Sequence, residues 1–153
     1  MKEPHTPSGR LKEKGLYQLL GYQLAQATIT TSEVFRACSA NLGGLRPVEF
    51  TLLSLIAENQ KVSSARLAKA LAVTKPNITM WVDRLEASGW VKRQPNLEDK
   101  RATELQITEA GLKLVGRATR ALHQAELKAA KALTSTDRDT LIELLHRLAN
   151  SRA

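Results

Sequence analysis

The chain is expected to be mainly α-helical with one small β-hairpin, a winged helix-turn-helix carried between long N- and C-terminal helices. Three observations predict this. From Ser63 to Gly89 two short amphipathic segments are divided by a turn, SSARLAKALAV and then TKPNITMWVDRLEASG. The stretch that follows, WVKRQPNLEDKRATELQIT, has the composition of two strands around a polar, cationic turn. Flanking this block, from Leu16 to about Ala40 and again after Thr108, apolar residues recur at helical spacing.

Taken in order, residues 1–10 hold two prolines, a glycine and few apolar groups, and read as a flexible arm. Leu16, Leu20, Leu24, Ala27, Thr31, Val34 and Cys38 then mark one face of a long helix that Gly43-Gly44 ends. Pro47 opens a second helix with Val48, Leu52, Leu55 and Ile56 on one face. Lys61-Val62 is a brief strand, and Ser63 caps a short helix that uses Leu67, Ala68 and Leu71. Thr74 caps the next helix, with Pro76 in its first turn, where N–H groups lack helical partners anyway. Gly89 suits the left-handed position that stops it. Trp90-Val91 and Leu105–Ile107 are the two strands, with the turn at Pro95–Lys100. Thr108 caps a second long helix carrying Leu112, Val115, Leu122 and Ala129. A Thr134/Asp137 capping box opens a last one, with Leu141, Leu144, Leu145 and Leu148.

At 153 residues the chain fits one domain. Residues 11–153 form it, with a reading lobe at 46–107 and dimerisation helices at 11–45 and 108–153. The terminal helices, about 25 residues each, would run roughly 35–40 Å. Their apolar faces would stay wet in a monomer, so a second copy is expected to cover them.

Charge is concentrated in the same block. Of a net +8, residues 60–101 supply +5, from nine Lys/Arg against Asp83, Glu86, Glu98 and Asp99. A basic segment in an otherwise nearly balanced chain is the footprint of a polyanion binder. A single cysteine fits a reducing cytosol, no apolar run approaches the ~20 residues of a membrane span, and MKEPHTPSGR lacks a signal-peptide core, which together point to the cytoplasm.

In the helix opened by Thr74, Ile78, Val82 and Leu85 fall at i, i+4 and i+7 and face inward. The opposite arc holds Pro76, Asn77, Met80, Asp83 and Arg84, with Thr79 at its flank. A recognition helix meets base edges with its first turns. Asn77 suits adenine, Lys75 guanine or phosphate, Thr79 phosphate or a thymine methyl, and Arg84 a phosphate further along. In the hairpin, Lys92 and Arg93 lie on the first strand and Asp99, Lys100 and Arg101 at the tip. Asp99 can hold the Arg101 guanidinium extended, which suits a narrow, negative minor groove.

The sequence LAKALAVTKPNITMWVDRLEASGWVKRQPNLEDKRATELQITEAG, with V-D-R-L-E at Val82–Glu86, S-G-W-V at Ser88–Val91, D-K-R at Asp99–Arg101 and I-T-E-A-G at Ile107–Gly111, resembles the MarR family of winged-helix regulators. The likeness runs from about Leu16 to Leu148. It implies a triangular homodimer that binds a palindromic operator in double-stranded DNA, usually as a repressor. It also implies pairing through the first, fifth and sixth helices and release by a small aromatic or phenolic effector, its pocket between the dimer helices and the reading lobe. Two positions depart from the pattern: Met80 stands where many members have Arg, and Arg46 where a Thr or Ser cap is common.

Other chemistry is not expected. His5, His123 and His146 lack metal-ligand spacing. Cys38, on an apolar stripe near a helix end, reads as a buried structural thiol, and Trp81 as packing. No nucleophile–base set, phosphate loop or carboxylate pair stands out, so no enzyme, cofactor or metal is expected. The competing reading is a non-sequence-specific architectural DNA-binding protein, and a third is a winged-helix protein–protein module.

Overall fold

The computed structural model describes residues 3–59, 61–96 and 103–152. Among the described residues six α-helices run in chain order: α1 Leu20–Ala37, α2 Pro47–Glu58, α3 Ser64–Leu71, α4 Lys75–Ala87, α5 Glu109–Ala129 and α6 Ser135–Asn150. Three short strands, β1 Val62–Ser63, β2 Val91–Pro95 and β3 Thr103–Ile107, form an antiparallel sheet in the order β1-β3-β2. The chain divides into two compact units, Met1–Ala37 with Ala125–Ala153, and Cys38–Gln124.

The Cys38–Gln124 unit holds the reading elements. Its core is aliphatic, with Leu42, Leu52, Leu53, Ile56, Ile78, Val82, Leu85, Val91 and Leu105 almost wholly removed from water. Each such side chain contributes about 1.5–3 kcal/mol of burial free energy. The expected inward triplet of α4 is confirmed, because Ile78, Val82 and Leu85 are at most 1% exposed. Ser63 and Thr108 close the caps expected of them, while Thr74 stands at its N-cap position without a side-chain cap hydrogen bond. Ser63 Oγ accepts from the Arg66 N–H, and Thr108 Oγ1 from the Gly111 N–H. At the end of α4 the Trp90 N–H donates to Leu85 O and the Gly89 N–H to Glu86 O, with Gly89 at φ +74°. This paired pattern needs a left-handed residue, and glycine adopts it without steric cost.

Gly111 has a different reason. A Cβ there would sit 2.3 Å from Trp90 O, so only glycine lets α5 pass this close to the start of β2. Cys38 is buried, with Sγ 3.8 Å from Ala121 O, as a structural thiol should be.

Two expectations about elements are corrected and a third is shifted by one residue. The first helix begins at Leu20 rather than Leu16, because the Leu16 and Tyr17 N–H groups both turn back to Glu13 O. It ends at Ala37 and gives way to a 3-10 turn at Ser39–Asn41, so its 18 residues span about 27 Å. On α5 the inward stripe is Gly111, Leu114, Ala118 and Leu122, while Leu112 is 55% exposed. The brief strand expected at Lys61-Val62 is present one residue later, as Val62–Ser63, and joins the sheet through Val62 paired to Leu105 and Ser63 to Glu104.

In the other unit, the arm residues bond to one another: His5 bridges Lys12, and the Thr6 N–H donates to Leu11 O. Glu13, 8% exposed, accepts the Tyr22 hydroxyl at 2.7 Å. α6 opens with the expected box, Thr134 Oγ1 accepting from the Asp137 N–H and Asp137 Oδ2 accepting from the Thr134 N–H. No residue of α6 is buried in the single chain, and Leu20, Ile29, Ile142 and Leu144 are all more than half exposed.

Candidate nucleic-acid interface

The interface is built on α4. Its inward face is spent on the core, so the residues between those positions must face water. Thr74, Lys75, Pro76, Asn77, Thr79, Met80, Asp83 and Arg84 are all exposed, as the helical arc requires. Pro76 sits in the first turn, and the Thr74 side chain makes no cap hydrogen bond. The positive end of the helix dipole is therefore presented together with Lys75 and Asn77. Thr79 Oγ1 donates to Lys75 O at 3.1 Å, which fixes its hydroxyl. Met80 is 48% exposed, an apolar side chain on the same outward face.

Beside this helix lies the β2–β3 hairpin, in register from Val91↔Ile107 to Pro95↔Thr103. Only Val91 of β2 is buried, so Lys92 and Arg93 are exposed along the hairpin. Asp99, Lys100 and Arg101 lie outside the described residues.

Two of the cations assigned to DNA have protein partners. Arg84 Nη1 lies 3.0 Å from Glu49 Oε1. Glu49 is 2% exposed, and its other oxygen accepts the Arg46 N–H at 2.9 Å, closing the start of α2. Arg84 meets Oε1 by charge, without an aligned hydrogen bond. Together with Gly43, Gly44, Leu45, Leu85, Ser88 and Trp90 the pair lines a small polar pocket of about 100 Å³. Arg93 is divided between Asp83, with Nη2 2.5 Å from Oδ1, and Glu86, which takes Nη1 and also accepts the Arg93 N–H at 3.2 Å. The Asp83 hydrogen bond, more than any other interaction, raises the Arg93 pKa above its ordinary value, against a smaller opposing effect of burial.

Sequence reasoning missed the parts played by Glu49 and Glu86. For Glu49 a signal existed: it stands three residues after the helix-opening Arg46, the acid position of a capping box. Glu86 gave none, because its partner lies across a turn in a different element. The α3 cations Arg66 and Lys69, also unassigned, are exposed on the helix preceding α4.

Known proteins resemble this chain in sequence and in fold. The MarR family pattern matches residues 45–103. The chain is 30% identical over 129 residues to the "Putative transcriptional regulatory protein for hcr operon" of Thauera aromatica, covering 84% of this chain and 78% of that protein. It is 30% identical over 91 residues to the transcriptional repressor MprA of Escherichia coli K12, of whose length it spans about half, 52%, with 60% of its own. Among solved structures, the transcriptional repressor CouR bound to a 23-mer DNA duplex superposes with a TM-score of 0.82 at 30% identity, covering 91% of this chain and 98% of that one. With a helix-turn-helix, a paired wing and this likeness over most of its length, the chain belongs to the MarR family and is a transcriptional regulator rather than an enzyme.

Proposed function

We propose that the protein is a repressor that binds an inverted repeat in double-stranded DNA as a homodimer and acts in the cytoplasm. The observation that carries this reading is the outward arc of α4, from Thr74 to Met80, set beside an exposed cationic hairpin. Lys75, Asn77, Thr79 and Met80 face the major groove with Thr74 and Pro76 at its rim. Lys92, Lys100 and Arg101 follow the backbone and minor groove, with Asp99 orienting Arg101. The bare apolar residues of α1 and α6 support pairing with a second copy, since faces this apolar are rarely left in water. No helix among the described residues is long and apolar enough to cross a membrane. A small aromatic or phenolic effector, as the family resemblance implies, releases the DNA.

Selection of duplexes from a random pool followed by footprinting tests this. A discrete protected inverted repeat, its half-sites about one helical turn apart, is expected. Diffuse coating of any duplex would instead indicate an architectural protein, and the relatives' names as regulators and a repressor favour the first outcome.

A further inference from the structure

We propose that Arg93 is a positioning residue that locks the wing to the recognition helix, through Asp83 and Glu86, rather than a ligand of DNA phosphate. The role rests on the DNA-binding reading above.

Asp83 and Glu86 are three residues apart on α4, so their carboxylates share one face. The planar guanidinium of Arg93 reaches both, and Glu86 also accepts the backbone N–H of Arg93 at 3.2 Å. That last bond matters because β2 is an edge strand, with β3 on one side only. The carboxylate covers a polar group on the strand's open edge and pins the strand itself, not merely a side chain, to α4. A lysine would do this less well, since its ammonium lacks the rigid planar fork that presents separate N–H groups to two acids.

The charge balance excludes the simpler role. One cation against two carboxylates leaves the trio at −1, so it repels a phosphate. Two acids beside a DNA-reading face are a liability unless they serve another purpose. As mere stabilisers they are also poorly placed: Asp83 is 57% exposed and Arg93 33%, and pairs this wet contribute little to folding. What the trio does define is the angle between α4, which enters the major groove, and the hairpin, which must reach the backbone beside it. An interface with two reading elements binds its site well only when both seat together.

The experiment measures affinity across a salt series for two duplexes: one selected by the wild-type chain from a random pool, and its scrambled version. In the double variant Asp83→Asn/Glu86→Gln, two negative charges vanish beside a polyanion, so electrostatics alone would tighten binding to both duplexes. Positioning gives the opposite on the selected duplex, a loss of about tenfold, with scrambled-duplex affinity unchanged or higher. Arg93→Gln should lose a similar factor without lowering the salt slope, and combining all three changes should add less than about twofold. Unchanged or tighter binding of the selected duplex by the double variant overturns the proposal. So does a salt slope that falls by about one in Arg93→Gln, the mark of a lost phosphate contact. If the double variant does not fold, Asp83→Asn alone carries the test, with a loss of about threefold expected and a gain overturning it. A wild-type chain that enriches no duplex overturns the DNA-binding reading itself, and this role with it.

Discussion

Arg84, an exposed residue of the recognition helix, is held 3.0 Å from the buried carboxylate of Glu49 at the start of α2. Glu49 thereby ties the first turn of α2, through the Arg46 N–H, to the flank of α4, through Arg84, beside a small pocket that Gly43 and Gly44 also line. Replacing Glu49 with Ala removes the acceptor for a helix-opening N–H and strands Arg84. A loss of about 2 kcal/mol in a denaturant titration is expected, with about half of it in Glu49→Gln, which keeps an acceptor for Arg46. The share owed to Arg84 is the smaller one, since its side chain is 45% exposed and water screens it.

Lys75 and Asn77 should separate into different kinds of contact. Lys75→Ala is expected to weaken binding to every duplex similarly and to lower the salt slope by about one. Asn77→Ala should leave the slope alone, cost about 1–3 kcal/mol on the selected duplex and relax the choice of base at one adenine position. Arg101→Ala should weaken selected-duplex binding severely with the thermal midpoint unchanged. Binding as tight as wild type would remove the wing tip from the interface.

The exposed face of α6 predicts an assembly phenotype. Ile142, 66% exposed, and Leu145, 39% exposed, stand on a helix with no buried residue in the single chain. Ile142→Glu with Leu145→Glu should weaken dimerisation by at least about 2 kcal/mol, read by sedimentation at micromolar concentration. A wild-type chain sedimenting as a monomer there would refute the pairing.

The opening of α6 should also respond to acid. Hydrogen bonds from Thr134, first its hydroxyl and then its N–H, hold the Asp137 carboxyl below its ordinary 3.8. A depressed folded-state value means that the stabilisation is fully present above the ordinary value and is lost as pH falls through the folded one. Chemical shifts of the first turn of α6 should therefore stay constant at neutral pH and change only below about 3.8, and Asp137→Asn should abolish that transition.

Much of this architecture was legible because its determinants are local. Ser63, Thr108 and the Thr134/Asp137 pair cap where side-chain oxygens can reach N–H groups two or three residues away, and Gly89 stops α4 where a left-handed residue is needed. The inward triplet of α4 followed from a 100° step per residue. The α5 stripe did not, because Gly111, which packs tightest, carries no apolar side chain to mark it. The start of α1 was missed for a related reason: Leu16 and Leu20 fit a helical period, and only the bonds to Glu13 O show that the chain turns between them.

By itself, then, the sequence determined the order of elements, the stops and caps between them, and which arc of α4 stays in water, since each depends on chain neighbours a few residues apart. Tertiary structure alone decided which cations meet acids of their own chain. Arg84 and Arg93 looked equivalent to Lys75 and Lys92 in a charge count, yet each meets acids brought close by packing, Glu49 from α2 in one case and two positions of α4 across a turn in the other. Coulomb attraction acts over a few ångströms of space and is indifferent to distance along the chain, so those partnerships exist only once the core has placed the helices.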